Sequence, residues 1–333
     1  QPQRGIALEQ VRLPLYDVHW TPAVVVERRG ESIRVGLPDG RVLPLSTWGG
    51  RTRSRINPYD VVYVKVVENS TAGLNNQQRS NGGARVELRV RPHVQGMTLV
   101  MENKTGRILA MVGGFSYPMS QLNRVTQSRR QPGSSLKPLT YLTALSHGLQ
   151  PNTLVLDAPI TYPPIGGVNR YTRPTDYWSP HNYEGSYRGA MTLTSAMTHS
   201  INTIAVKLSI SIGNGNPKVG RAKIVALAKS MGLRTPLPDT PSLPIGADEV
   251  TVLDHTVAYA TFPNLGKSVT AHALLEVRTG DGNVIWRFDR DGPKPRQVMP
   301  PAVATENQCW ARLDRSPWGR RGNSAADSAD SAR

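Results

Sequence analysis

The spacing of apolar residues changes from β-type to helical partway along this chain, and that change limits what the chain can fold into. From about Val18 to Val90 the apolar residues come in short β-type runs, Ala23 to Glu27, Ser32 to Val35 and Val61 to Val67, separated by Gly, Pro and Asn turns. Such runs predict a small β-barrel. From Ser134 to His147, Leu136, Leu139, Leu142 and Leu145 recur at helical spacing and stop before Gly148, a normal helix end. Thr192 to Ser200 and Asn202 to Ile212 read as two further helices. Between the two regimes, Gly96 to Glu102 and Arg107 to Gly114 flank a tight turn and predict paired strands. Strands followed by a helical block place the second region in the α+β or mixed α/β class.

The connecting segments are as informative as the elements. Asn69 to Gly83 has no apolar period and predicts an exposed loop. Pro151 to Gly189 is rich in Pro, Gly, Tyr and Asn, so most of it should be loop, and long loops in compact domains often line sites. Val269 to Glu276 and Val284 to Phe288 alternate like a hairpin around Asp281-Gly282. Beyond about Thr305 the composition shifts to Ala, Ser, Asp and Arg, which cannot bury a core and predicts disorder.

Charge and cysteine content narrow the function classes. The 333 residues are 38% hydrophobic, adequate for a sizeable core, and 40 Lys and Arg against 24 Asp and Glu leave a net charge of +16. That excess favours anionic surfaces. Nucleic acid is disfavoured because the basic residues are scattered, with no zinc-finger spacing and no RNA-recognition aromatic motif. The single cysteine, Cys309, precludes a disulfide framework or a Cys-based metal site within the chain. No apolar run is long enough to span a bilayer, and the start, Gln1-Pro2-Gln3-Arg4, carries neither an initiator Met nor a signal-peptide pattern. The expectation is a piece of a longer protein.

Two short motifs carry chemistry. Ser134-Ser135-Leu136-Lys137 sits where the Gly-containing loop Gln131-Pro132-Gly133 enters a helix. A serine hydroxyl needs a base to become a nucleophile, and a lysine three positions on lies on the same helix face. That lysine must be neutral to act so, which calls for desolvation or a positive neighbour. The plain alternative is a helix-capping serine and a solvated lysine. Ser200-Ile201-Asn202, between two predicted helices, offers a hydroxyl for proton transfer and a carboxamide for a substrate amide. Ordinary capping is again the alternative.

In their surroundings these motifs become specific. Arg129-Arg130-Gln131-Pro132-Gly133-Ser134-Ser135-Leu136-Lys137-Pro138 resembles the nucleophile segment of class A penicillin-binding proteins, a group marked by the Ser-x-x-Lys box. Gly106 to Gly114, Asn123-Arg124, Trp178-Ser179-Pro180-His181-Asn182-Tyr183, Leu193 to Asn202 and Ala258 to Gly266 follow that family's order, so the resemblance covers roughly residues 17 to 300. It implies an α+β chain: a small OB-like β-barrel domain, then a truncated penicillin-binding/β-lactamase-like transpeptidase domain. It further implies a serine acyl-enzyme mechanism, in which a D-alanyl-D-alanine stem peptide of peptidoglycan, or a β-lactam imitating it, acylates Ser134. Lys137 would be the base, Ser200 and Asn202 the second motif, and Trp178 and Tyr183 would edge the cleft unless they serve packing. No metal or organic cofactor is implied. The implied location is the periplasmic side of the inner membrane, anchored by a segment outside this chain, with an anionic membrane surface or cell-wall proteins as further partners.

Two departures from the family shape the expectation. Its third motif, Lys-Thr-Gly on an edge strand, should follow Ser200, yet nothing after Phe288 supplies it. Lys104-Thr105-Gly106 precedes the nucleophile and reads as a hairpin turn, while Arg278-Thr279-Gly280 reads as a hairpin tip. No glycosyltransferase signature is present. The expected division is therefore residues 1–16 as a linker from an upstream glycosyltransferase region, 17–93 as the OB-like domain, 94–304 as an incomplete transpeptidase domain, and 305–333 as a disordered tail of the kind a truncated or frame-shifted gene encodes. The chain as written is expected to be an impaired cross-linking enzyme. The rival readings are a serine β-lactamase and a non-catalytic module that binds cell-wall partners.

Overall fold

The computed structural model describes residues 20–47, 50–67, 84–164 and 168–305. The expected N-terminal linker, the polar loop around Asn75 and the tail from Glu306 lie outside the described residues. The chain divides into two compact units, one running to Gly96 and including Gly114–Leu122, the other made of Met97–Gly113 and the chain from Asn123.

In the first unit, β1 (Thr21–Arg29), β2 (Ser32–Gly36), β3 (Val42–Ser46), a helical turn α1 (Gly50–Ser54), β4 (Val61–Val67) and β5 (Arg85–Arg89) form a closed barrel in the order β1-β2-β3-β5-β4. Four pairings are antiparallel, and β3 meets β5 in parallel, with Leu45 opposite Val86. The alternation in the sequence is what closes it. Ala23 and Val25, Ile33 and Val35, Val64, and Val86 and Leu88 all point inward and form one buried cluster. Closure also removes the free sheet edge that such short strands would otherwise leave open to pairing. The segment Gly114–Leu122 joins this unit by seating the Phe115 ring 5.5 Å from Trp20 and donating the Phe115 N–H to Gln95.

The second unit runs through β6 (Thr98–Met101), β7 (Ile108–Val112), β8 (Arg129–Arg130), α2 (Lys137–Ser146), β9 (Leu154–Asp157), β10 (Gly189–Thr192), α3 (Leu193–Thr198), α4 (Asn202–Ile212), α5 (Pro217–Ser230), β11 (Val250–Thr251), α6 (Val252–Ala260), β12 (Lys267–Ser268), β13 (Glu276–Arg278) and β14 (Val284–Arg287). Its centre is α2, buried continuously from Lys137 to Ala144. One side of α2, through Tyr141 and Ala144, packs on Leu193, Ile204, Leu208, Ile212 and Ile224. The other, through Leu139 and Leu142, together with Leu136 just ahead of the helix, packs on Ala228, Met231, Ala258 and Phe262. A helix apolar on most of its circumference belongs in a core. Each fully buried leucine here contributes about 1.5–3 kcal/mol.

Two expectations are sharpened. The stretch from Pro151 to Gly189 is not all loop, since β9 pairs antiparallel with β10, Asp157 opposite Gly189. The C-terminal hairpin is narrower than the alternation suggested, with strands only at Glu276–Arg278 and Val284–Arg287.

Candidate active site

The segment carrying Ser134 is set by backbone contacts that require glycine. β8 pairs with β11, Arg130 opposite Val250, which lays the following loop against Gly246. Gly133 N–H donates to the Gly246 carbonyl at 3.0 Å. Both glycines have left-handed backbones, φ 56° and 77°, and a Cβ on Gly246 would lie 2.0 Å from the Gly133 oxygen. Only glycine fits such an approach. The chain then makes a 3-10 turn over Gly133–Leu136 and becomes α-helical at Lys137. The α-helix therefore begins later than the sequence spacing suggested. Pro138 in the first helical turn suits this, because it lacks the N–H that would go unpaired there.

In a 3-10 turn residues i and i+3 eclipse, so Ser134 and Lys137 lie on one side. Ser134 is exposed, whereas Lys137 is only 1% exposed. Lys137 Nζ donates to the Ser200 carbonyl at 2.5 Å and to Ser200 Oγ at 2.9 Å. The two sequence motifs thus converge on one buried amine.

Ser200 reaches that amine through an unusual backbone. It has φ 52° and follows α3 in a Schellman arrangement, with Ser200 N–H donating to Met197 and Ile201 N–H to Ala196. Glycine is the usual occupant of that left-handed position. A serine there costs on the order of 1–2 kcal/mol relative to glycine.

The N-terminus of α4 is held from elsewhere in the chain. Ile201 cannot cap it, and Asn182 Oδ1 instead accepts from the N–H groups of Asn202 and Thr203 at 3.1 and 3.3 Å. Asn182 is fixed in turn by the buried carboxylate of Asp157, to which its Nδ2 donates at 2.9 and 3.0 Å. Thr203 Oγ1 and the Arg188 N–H also donate to Asp157, at 2.5 and 2.8 Å. Burial alone would raise the Asp157 pKa, but the hydrogen bonds from Thr203, Asn182 and Arg188 and the nearby Lys207 charge outweigh it and hold the carboxyl below its ordinary value. Asn202 Nδ2 donates to the His181 carbonyl at 2.8 Å, which fixes its carboxamide.

Sequence reasoning singled out Trp178 and Tyr183 in this region and missed residues that lie between them. Tyr183 is 82% exposed, and Trp178 pairs its backbone with Tyr162, their rings 6.1 Å apart. Within Trp178-Ser179-Pro180-His181-Asn182-Tyr183, Asn182 through its side chain and His181 through its carbonyl are the members that touch the second motif. The decoy tripeptides are turns. Gly106 N–H donates to the Glu102 carbonyl between β6 and β7, and Thr279 N–H donates to the Asn283 carbonyl at the tip between β13 and β14. A concavity of about 970 Å³ lined by Lys104, Arg107, His272 and Phe288 includes none of Ser134, Lys137, Ser200 or Asn202. Among the described residues no group of three or more His, Cys, Asp or Glu could hold a metal ion, and no helix is long and apolar enough to cross a membrane.

The helical core and the paired Ser-x-x-Lys and Ser-x-Asn segments define a class, the penicillin-binding transpeptidase domain. The sequence profile of the family described as "Penicillin binding protein transpeptidase domain" matches residues 96–306, and the chain belongs to that family. The chain is 32% identical over 297 residues to penicillin-binding protein 1A of Neisseria gonorrhoeae, covering 86% of this chain and 33% of that protein. To penicillin-binding protein 1A of Rickettsia typhi it is 31% identical over 291 residues, covering 85% and 33%. The chain thus spans about a third of the length of these curated relatives. Among solved structures, penicillin-binding protein 1A from Haemophilus influenzae superimposes with a TM-score of 0.70 at 22% identity, covering 94% of this chain and 47% of that one. PonA1 from Mycobacterium tuberculosis in complex with penicillin V gives a TM-score of 0.53 at 20% identity, covering 67% and 57%.

Proposed function

We propose that this chain carries the acyl-transfer site of a peptidoglycan cross-linking D,D-transpeptidase of class A, with Ser134 as nucleophile. The observation that carries this reading is the pair of hydrogen bonds from buried Lys137 Nζ to Ser200, one turn beyond an exposed serine. In the reaction, Ser134 Oγ attacks the carbonyl of the penultimate D-alanine while its proton passes to the amine of Lys137. The step requires that amine to be neutral when the proton arrives. Ser200, bridged to the same amine, delivers the proton to the departing D-alanine nitrogen. An amine on a neighbouring strand then takes the acyl group by the reverse transfers. With its Nδ2 committed to His181, Asn202 offers Oδ1 to a substrate N–H. A β-lactam would enter the same sequence and stop at the acyl-enzyme.

The order β1-β2-β3-β5-β4 with parallel β3 and β5 supports an OB-like assignment for the barrel, a five-stranded Greek-key closure. We place its limits at residues 17–93 and those of the transpeptidase domain at 94–304. The enzyme would work on the periplasmic side of the inner membrane, with Trp178 and Tyr183 near the substrate path. A fluorescent penicillin tests the base. Lys137→Ala should slow covalent labelling by about a hundredfold or more, the usual contribution of a positioned base. An unchanged labelling rate would remove Lys137 from the mechanism.

A further inference from the structure

The residue after the nucleophile is gripped at its hydroxyl and its carbonyl from a single helix. On α6, His255 and Tyr259 stand one turn apart on the same face, their rings 4.8 Å between centroids. His255 Nε2 lies 2.9 Å from Ser135 Oγ, and the Tyr259 hydroxyl donates to the Ser135 carbonyl. These contacts follow from the topology. α6 begins directly after β11, and β11 pairs with the strand that leads into the Ser134 turn.

The hydrogen-bond inventory fixes the histidine tautomer. Ser135 Oγ donates its one proton to the Pro132 carbonyl at 2.7 Å, an atom that can only accept. His255 Nε2 must therefore be protonated and donate to Ser135. Nδ1 is then a bare lone pair, buried with no hydrogen-bonding partner among the described residues. A second ring proton would bury an unpaired N–H at that point, so the ring stays neutral. In keeping with this, burial pushes the His255 pKa down to about 4.

The geometry points to His255 and Tyr259 as positioning residues that clamp Ser135 and thereby fix the 3-10 turn presenting Ser134. Gly133 N–H ties the start of that turn to the Gly246 carbonyl at 3.0 Å, whereas in its middle Ser135 N–H reaches the Pro132 carbonyl only at 3.3 Å, and the clamp acts at that weaker point. An acyl-transfer site needs the nucleophile and its own N–H placed to a fraction of an ångström, which gives such a clamp its purpose. The inference rests on Ser134 being the acyl-accepting residue, but the clamp itself can be read without acylation.

The test uses the 333-residue chain labelled with ¹⁵N-histidine. Long-range ¹H–¹⁵N correlations at neutral pH should show His255 protonated on Nε2 alone; a ring protonated on Nδ1, or charged, overturns the proposal. Hydrogen exchange at the Ser135 and Lys137 amides should then rise about fivefold to tenfold in His255→Leu and in Tyr259→Phe, the effect of one lost hydrogen bond on a local opening. His255→Gln, which keeps an N–H donor of similar reach, should stay within about twofold of the unsubstituted chain. Unchanged exchange in both His255→Leu and Tyr259→Phe, or an equal rise across α4, refutes the clamp. Failure of Ser134 to accept a penicillin in the unsubstituted chain would count against the catalytic reading and leave the clamp results to stand by themselves.

Discussion

Lys137 Nζ and Ser200 Oγ, 63 residues apart in sequence, lie 2.9 Å apart in the fold, and Ser200 holds a left-handed backbone to make that contact. Strain at one residue and burial of the other meet in a single hydrogen bond. Ser200→Gly should therefore separate stability from activity. Glycine relieves the left-handed strain, so folding stability should change by no more than about 1 kcal/mol. Penicillin labelling should fall about a hundredfold, because the hydroxyl that relays the proton is gone. Thermal melting and a labelling time course on one preparation check both halves.

Asp157 should be the most sensitive buried polar position outside the motifs. Asp157→Asn removes charged acceptors from Asn182, Thr203 and the Arg188 N–H, and the expected loss is on the order of 3 kcal/mol. The pH dependence has a fixed sign. The folded-state pKa lies below the ordinary 3.8, so this network stabilises the fold above that value and its contribution is lost as pH falls through the folded pKa. Denaturant midpoints of the parent and of Asp157→Asn should converge below about pH 4. A constant gap down to pH 2 would show that the charge plays no part.

Gly246→Ala should be damaging although it adds one methyl group. Its Cβ would sit 2.0 Å from the Gly133 carbonyl oxygen at φ 77°. A loss of at least about 2 kcal/mol is expected from strain and clash together. Gly185→Ala, where nothing lies within 4 Å of the added Cβ, provides a control that shares the positive φ.

The helices that were legible in the sequence were those whose period and stop signals agreed. Asn202–Ile212 matches its expected span because Gly213 ends an uninterrupted apolar pattern. Pro217–Ser230 escaped notice although Asn216 caps it and Pro217 opens it. Lys218, Arg221, Lys223 and Lys229 dilute its apolar stripe, and its buried face rests on α4 through Gly220, against the Ser209 backbone. The Asp157 network was illegible for another reason. Its members come from β9, a loop and α4, and no local period links residues whose only relation is a shared hydrogen-bond partner. His255 had no motif at all, and only the tertiary contact with Ser135 gives it a role.

The most direct measurement is peptide mapping by mass spectrometry after prolonged exposure of the chain to a penicillin. The penicilloyl adduct should fall on Ser134 alone, and it should be absent from Ser134→Ala under the same exposure. An adduct on another residue, labelling that persists in Ser134→Ala, or an unmodified Ser134 after exhaustive exposure would contradict the assignment of Ser134 as the nucleophile.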